Sequence, residues 1–365
     1  MMELFRILAL LIAFLVFMAN PVRAQDATPQ PIPAEITPTI TPVEIAPLPS
    51  SRLLTGFRYE PQSWNNCGPA TLTTALSFYG YADNQNRAAN WLKPNREDKN
   101  VSPWQMAEFV NTQVPELPVY AKLRVGGTLD RLKQLIAAGY PVVIEAGYDP
   151  EPDRLGWMGH YLLVIGYDDS TQQFVTNDSY LGEGTRYSYA HVQEFWRHFN
   201  YTYIVVYESG DEPGLLTLLG EDADPQANFI NALELSTAEA TADRNSPYAW
   251  FNMGTNFVSL ELYDRAEIAY DQARKLGLPW RMLWYQFGPM QAYQERGRYD
   301  DVLALTSANL NDGGGQYVEE TYYYAALARQ SQGDTERAIN NLREVVNFNP
   351  NFTPARELLD ELTAP

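Results

Sequence analysis

The C-terminal part of the chain repeats itself. The segments LYDRA (262–266), RYDDV (298–302) and GDTERA (333–338) set Ala266, Val302 and Ala338 a constant 36 residues apart. A period of that length with no strand signals between its copies restricts this part to stacked helical hairpins, because a single unit cannot bury its apolar face without a neighbour. Gly254 and the small residues at 266, 273 and 338 let paired helices approach closely, and aromatic residues fill the gaps between hairpins. The stretch 225–242 reads as a preceding helix that caps the stack.

The first unit is the most explicit. Trp250, Met253, Gly254, Phe257, Ala266, Tyr270, Ala273 and Pro279 fall in the order aromatic, Leu-Gly-like pair, aromatic, Ala, aromatic, Ala, Pro, and the third unit again ends in proline, at Pro350. This order resembles the tetratricopeptide repeat. The resemblance implies an all-α tetratricopeptide-repeat domain over 225–365, a short right-handed superhelix of about three hairpins whose concave face takes a protein partner.

The opposite end of the chain is not globular. Residues 1–24 place Arg6 before an apolar run and end in Val22-Arg23-Ala24, the layout of a signal peptide, or of a membrane anchor if it is left uncut. Residues 25–50 contain no Lys, Arg or aromatic residue and have proline every few positions, which predicts an extended Pro/Thr-rich linker. The remainder is therefore expected outside the cytoplasm, secreted or tethered to the outer face of the membrane. Membrane contact is expected only if the N-terminal segment stays attached.

Charge and cysteine usage narrow the function. With 26 Lys+Arg against 45 Asp+Glu, the net charge of −19 has the wrong sign for nucleic acid. One cysteine, Cys67, excludes an intrachain disulfide, and three histidines with it are too few for a structural zinc finger. No metal and no cofactor is expected. In an oxidising compartment Cys67 must be buried, protected or chemically useful.

Residues 51–208 mix helices and strands. Helices are predicted at 70–79, after Asn65-Asn66-Cys67-Gly68-Pro69, at 103–109, opened by Ser102-Pro103, and at 128–138, stopped by Gly139. Short β-branched or aromatic runs at 141–146, 161–167, 173–176 and 201–207 predict strands. A helix first and a sheet afterwards indicate an α+β domain. The acidic stretch 209–224 reads as a linker to the helical region.

The local chemistry centres on Cys67. A thiol in the first turn of a helix meets the positive end of the helix dipole, which favours the thiolate. Gln62, just upstream, can turn its amide to the same spot as an oxyanion donor. The thiolate needs a base and the base an orienting partner. His191 and His198 sit in a helical stretch and are expected to pack, whereas His160 opens a strong strand. The following hairpin brings Thr176-Asn177-Asp178 beside it, with Asp178 or Asn177 as the orienting group. Trp64 and Trp157 flank these motifs and either line the cleft or simply pack.

NNCGPATL, then GHYLLVIGYDD, then VTNDS, in that order, resembles the papain-like C39 peptidases, in particular the stand-alone C39-like branch, over roughly residues 52–207. The resemblance implies a papain-like fold in which Cys67 is the nucleophile, His160 the general base and acid, Asp178 the orienting carboxylate and Gln62 the oxyanion donor. The expected function is hydrolysis of peptide bonds in a peptide or protein substrate. Two other classes use the same features: a non-catalytic surface scaffold that binds peptides, and an acyl or amide transferase with an amine acceptor.

Overall fold

Three apolar runs make the centre of a sheet, and their alternation decides which helices cover each face. In the computed structural model, residues 48–149 and 156–364 are described. The expected signal segment at 1–24, and the linker up to residue 47, lie outside them. In chain order the first part contains β1 (Ser51–Leu53), α1 (Cys67–Ser77), α2 (Gln85–Leu92), α3 (Pro103–Gln113), β2 (Val119–Arg124), α4 (Leu129–Ala137), β3 (Val142–Tyr148) and β4 (Met158–Asp168). It continues with β5 (Gln173–Asp178), β6 (Gly182–Ser188), α5 (Tyr189–Trp196) and β7 (Tyr203–Glu208). All pairings are antiparallel, in the order β2-β7-β3-β4-β5-β6, with β1 added against the far end of β4.

The period of two along each strand divides the core. Val143, Leu163 and Ile204 join Leu72, Leu76 and Phe109 on the face covered by α1 to α3. Val142, Val164 and Val205 join Leu132, Leu135 and Trp196 on the other face. Each of these is fully or almost fully buried, and a buried aliphatic or aromatic side chain contributes about 1.5–3 kcal/mol.

Helix starts follow their caps. Thr128 accepts from the Arg131 N–H at 3.0 Å, and the Gln105 side chain accepts from the Ser102 N–H at 2.8 Å. Gly139, at φ +99°, adopts the left-handed conformation that ends α4. Strand β6, by contrast, lacks any apolar alternation (GEGTRYS) and forms because β5 offers it an edge.

The acidic stretch at 209–224 is not a linker. It carries α6 (Glu212–Leu219), whose Leu215 and Leu219 are buried in the second core. The Arg131 guanidinium grips its C-terminal end, donating to the carbonyls of Leu218 and of Leu219 and pairing with Asp222 at 3.3 Å. Two leucines four apart outweigh the surrounding acids, because burial needs only one stripe of the helix.

The rest is helical: α7 (Pro225–Ala242), α8 (Pro247–Ser259), α9 (Tyr263–Leu276), α10 (Gly288–Glu295), α11 (Tyr299–Leu310), α12 (Glu319–Ser331), α13 (Thr335–Phe348) and α14 (Thr353–Thr363). Helices α9, α11 and α13 begin at Tyr263, Tyr299 and Thr335, the same 36-residue interval that the sequence shows. Tyr270 explains two glycines: a Cβ on Gly254 would lie 2.7 Å from its ring and one on Gly288 only 1.9 Å from its hydroxyl. One hairpin is thus keyed to the next through a single buried tyrosine.

The connection from α9 to α10 is long and includes a 3-10 turn, Trp280–Trp284. Asparagine amides join the helices to the sheet part: Asn200 donates to Asn256 Oδ1 at 2.7 Å, Asn228 to the Val125 carbonyl at 2.9 Å, and Asn349 to the Leu92 carbonyl at 3.3 Å.

Candidate active site

The loop before α1 is clamped by one glutamine. Gln85 Oε1 accepts from the Ser63 N–H at 2.8 Å and from Asn66 Nδ2 at 3.1 Å, while its Nε2 donates to the Pro61 carbonyl at 2.8 Å and to Glu60 Oε1 at 2.9 Å. Asn65 takes the left-handed conformation at φ 55°, and the chain then enters the helix at Cys67. The Asn66 side chain does not cap α1, because its amide is committed to Gln85. Cys67 is nevertheless the first helical residue, half-buried, at the end where the helix dipole is positive.

The sheet register brings His160 and Asp178 together. Leu162 on β4 faces Asp178 on β5, so His160, two residues earlier on the same face, is the diagonal neighbour of Asp178. His160 Nε2 lies 2.9 Å from Asp178 Oδ1. With Nε2 engaged there, Nδ1 is the nitrogen left for Cys67, whose thiol and the imidazole each favour the charged form of the other. Asn177 pairs with Leu163, points to the opposite face, and accepts from the Gly184 N–H at 3.2 Å. Register thus separates the two candidates that sequence left open.

Asp178 is fully buried and fully used. Its Oδ1 also accepts from the N–H groups of Tyr180 at 2.8 Å and Leu181 at 3.1 Å, and its Oδ2 accepts from the Tyr187 hydroxyl at 2.6 Å. Tyr148 packs its ring on His160 with centroids 4.6 Å apart.

Electrostatics follow from these contacts. Burial alone pushes the Cys67 thiol up, yet the His160 hydrogen bond and charge, helped by backbone groups of Tyr161 and Gly68, bring it below its ordinary value. Burial pushes His160 down, but Asp178 and Cys67 hold it protonated and raise it to about 10. Burial raises Asp178, while His160, the Tyr187 hydroxyl and the Tyr180 N–H bring it to about 2. The arrangement favours a thiolate–imidazolium pair backed by a carboxylate.

Gln62 is held at both ends. Its backbone N–H donates to the Ser179 carbonyl at 2.8 Å, and Ser179 Oγ donates to Gln62 Oε1 at 3.0 Å. The carbonyl end of the amide is thereby occupied and the NH2 end is left to donate. Gln62, Cys67 and His160 all line one cleft of about 440 Å³.

The other sequence candidates separate cleanly. His198 stacks on Tyr248 at 3.8 Å and accepts from Trp157 Nε1 at 3.0 Å, and burial lowers it to about 3. His191 packs between Tyr187 and Phe195. Trp64 is 62% exposed and lines the cleft, whereas Trp157 stacks on Phe199 with an interplanar angle of 6°.

Sequence reasoning missed several contributors. Tyr187 and Ser179 lie close in sequence to Asp178, but only the β5–β6 pairing and the turn between them aim their hydroxyls. Arg281, Trp284 and Tyr285 reach the cleft from the helical region. Gly159 carried the signal for Tyr285, since a Cβ there would stand 3.0 Å from that ring.

Residues 54–204 match the Peptidase_C39 like family. Among solved structures, a Bacillus anthracis protein described as a C39-like peptidase is 14% identical and covers 43% of this chain and 98% of its own, with a TM-score of 0.35. A MamA RS-1 double mutant is 19% identical, covering 42% of this chain and 84% of its own, with a TM-score of 0.34. The peptidase domain of Streptococcus ComA, a bi-functional ABC transporter, is 19% identical, covering 41% of this chain and 99% of its own, with a TM-score of 0.32. No curated protein matches the chain. The matched segment is the antiparallel sheet domain, and the region after it is helical.

Proposed function

We propose that the chain is a cysteine peptidase acting outside the cytoplasm. The observation that carries this reading is the juxtaposition of Cys67, at the start of α1, with His160, whose Nε2 is held 2.9 Å from Asp178 Oδ1. His160 Nδ1 holds the proton of the Cys67 thiol, and the thiolate sulfur forms a bond to the substrate carbonyl carbon. The resulting oxyanion accepts from the Cys67 backbone N–H and from Gln62 Nε2, which Ser179 keeps aimed. The imidazolium returns its proton to the leaving amine as the C–N bond breaks, leaving a thioester. Water then attacks the thioester with His160 as base, releasing the carboxylic acid and the thiolate.

The helical region is read as tetratricopeptide-type repeats that hold a protein partner or the substrate near the cleft, where covalent linkage raises effective concentration. The 36-residue interval of its hairpins and the glycine contacts of Tyr270 support that reading. The deciding experiment is cleavage of a denatured-protein substrate by the full chain and by Cys67→Ala. Loss of activity by a factor of about 10³ or more is expected. Retained cleavage in the variant would sink the proposal.

A further inference from the structure

The connection between α9 and α10 is rich in aromatic residues, with Trp280, Trp284 and Tyr285 falling within six positions. Trp284 and Tyr285 line the same cleft of about 440 Å³ as Cys67 and His160. From the sheet part come Trp64, Tyr148, Tyr180 and Met158. Aromatic rings and one thioether thus meet around the nucleophile from both parts of the fold.

Contacts within the protein hold these rings in place. A Cβ on Gly314 would stand 2.3 Å from the Trp284 ring, and Trp284 Nε1 donates to Asp312 Oδ2 at 2.8 Å. Trp157 and Phe199 meet Tyr285 edge to face, with centroids 6.1 and 6.0 Å away, and the adjacent Gln286 Nε2 donates to the His198 carbonyl at 2.9 Å. Trp64 Nε1 donates to Glu97 Oε2 at 3.2 Å, and Lys99 Nζ lies 5.2 Å from the Trp64 ring centroid. Both indole N–H groups are engaged by the protein itself, so what these tryptophans offer a ligand is ring surface.

That surface is partly in water. Trp64 is 62% exposed and Tyr180 44%, and covering apolar area with an apolar group is favourable whatever the charge nearby. The cleft volume lies within the range of ligand pockets, about 300–1,000 Å³, which is room for a bulky side chain and the backbone that carries it.

We propose that Trp64, Trp284 and Tyr285 form a subsite for an aromatic or large aliphatic side chain next to the scissile bond of a peptide, so that the helical region supplies specificity-determining residues directly to the cleft. The inference deepens the peptidase reading and rests on Cys67 being the nucleophile. Recognition is by apolar contact and ring packing, and the charged groups around the cleft have no part in it.

Because the chain has one thiol, the first test needs no known substrate. Rates of Cys67 alkylation by N-benzyl iodoacetamide and by iodoacetamide are measured on the full chain, on Trp64→Ala and on Trp284→Ala, and each benzyl-to-parent ratio is divided by the ratio for glutathione. Changes in thiol reactivity common to both probes cancel. The normalised ratio should be about tenfold or more in the wild type, the discrimination that one hydrophobic subsite achieves. It should fall by a factor of about three or more in each variant, with Trp284→Phe restoring most of it. A wild-type ratio near unity, or one that neither substitution changes, overturns the inference. A ratio that falls in Trp64→Ala alone overturns the contribution of the helical region. Trp64 is mostly exposed, so its variant keeps the test decisive, and Tyr285→Leu stands in for Trp284→Ala if that variant does not fold.

The second test measures binding of labelled Gly-Ser peptides with one central Phe, Leu, Ala or Asp to Cys67→Ala by fluorescence anisotropy. Tighter binding of the Phe and Leu peptides supports the inference. Equal binding of all four, binding of none, or tightest binding of the Asp peptide overturns it. Preferential binding of the Phe peptide with no cleavage by the wild type removes the peptidase reading instead and leaves a cleft that binds aromatic side chains.

Discussion

Tyr187 donates its hydroxyl to Asp178 Oδ2 at 2.6 Å while His160 occupies Oδ1, so the two oxygens of one buried carboxylate are divided between a fixed neutral donor and the imidazolium. This division leaves Asp178 little freedom to rotate away from His160. Tyr187→Phe removes one charge-directed hydrogen bond, which contributes about 1.5–3 kcal/mol. Denaturant unfolding at pH 7 should show a loss of that size. Asp178 is held at about 2, below the ordinary carboxylate value of 3.8. Its stabilisation is present above that ordinary value and disappears as pH falls toward 2, and in the variant the acid decline should be smaller and end at higher pH. Identical acid limbs in both proteins would show that Tyr187 does not tune Asp178.

Substitutions at 177 and 178 should have very different effects on catalysis. Asp178→Ala deprives a buried imidazolium of its partner and should lower kcat/KM by a factor of about 10²–10⁴, the range of general acid–base catalysis. Asn177 lies on the opposite face, where it accepts from the Gly184 N–H, so Asn177→Ala should cost stability and change kcat/KM less than about tenfold. Steady-state kinetics on the two variants, each checked for folding by circular dichroism, decides between the residues.

The pH dependence of thiol alkylation follows from the Cys67–His160 pair. Cys67 is lowered below its usual value and His160 raised to about 10, so the ion pair exists at neutral pH and is lost as pH rises through the His160 value. Iodoacetamide should therefore modify Cys67 well below pH 8.5, the ordinary thiol value. His160→Ala should move the curve upward, because burial then acts on the thiol without a compensating charge. A wild-type profile that rises only near 8.5 would mean that the pair does not form.

The seam between the sheet part and the helices should be sensitive to alkali. Glu320 Oε1, on α12, accepts from Asn100 Nδ2 at 3.1 Å and from Ser102 Oγ at 3.3 Å, with Glu319 and Asp98 close by in the same buried cluster. Burial pushes both Glu320 and Asp98 well up, so the folded protein holds protons there that the unfolded chain releases. Stability should fall as pH rises from the ordinary carboxylate value near 4 toward the raised folded values. Glu320→Gln keeps the acceptor oxygen and removes the charge. It should raise stability at pH 8 by on the order of 1 kcal/mol, and a melting temperature that is no higher than wild type at pH 8 would count against this account.

Much of the fold is written locally in the sequence. The 36-residue interval carries over to the first residues of α9, α11 and α13, because helix starts are set by local turns and small residues. The runs at 142–148, 158–168 and 203–208 become strands because β-branched and aromatic residues fill both faces of a covered sheet. The motif residues Cys67 and His160 could be singled out because their chemistry and their positions at element ends are local properties. Strand β6 and helix α6 were not legible in this way. One takes its conformation from the edge of β5, and the other hides two buried leucines among acids.

Tertiary structure decided the rest, because it concerns side chains that meet from distant parts of the chain. Register selected Asp178 over Asn177, since a shift of one residue exchanges the faces of a strand. The Ser179 hydroxyl set which end of the Gln62 amide faces the cleft. Packing of the helices on the sheet brought Tyr285 over Gly159 and Arg281 to the cleft, more than 100 residues beyond His160 in sequence. The sequence by itself determined which elements form and which chemical groups are available. Their mutual placement arose only when buried surfaces with no local signature came together.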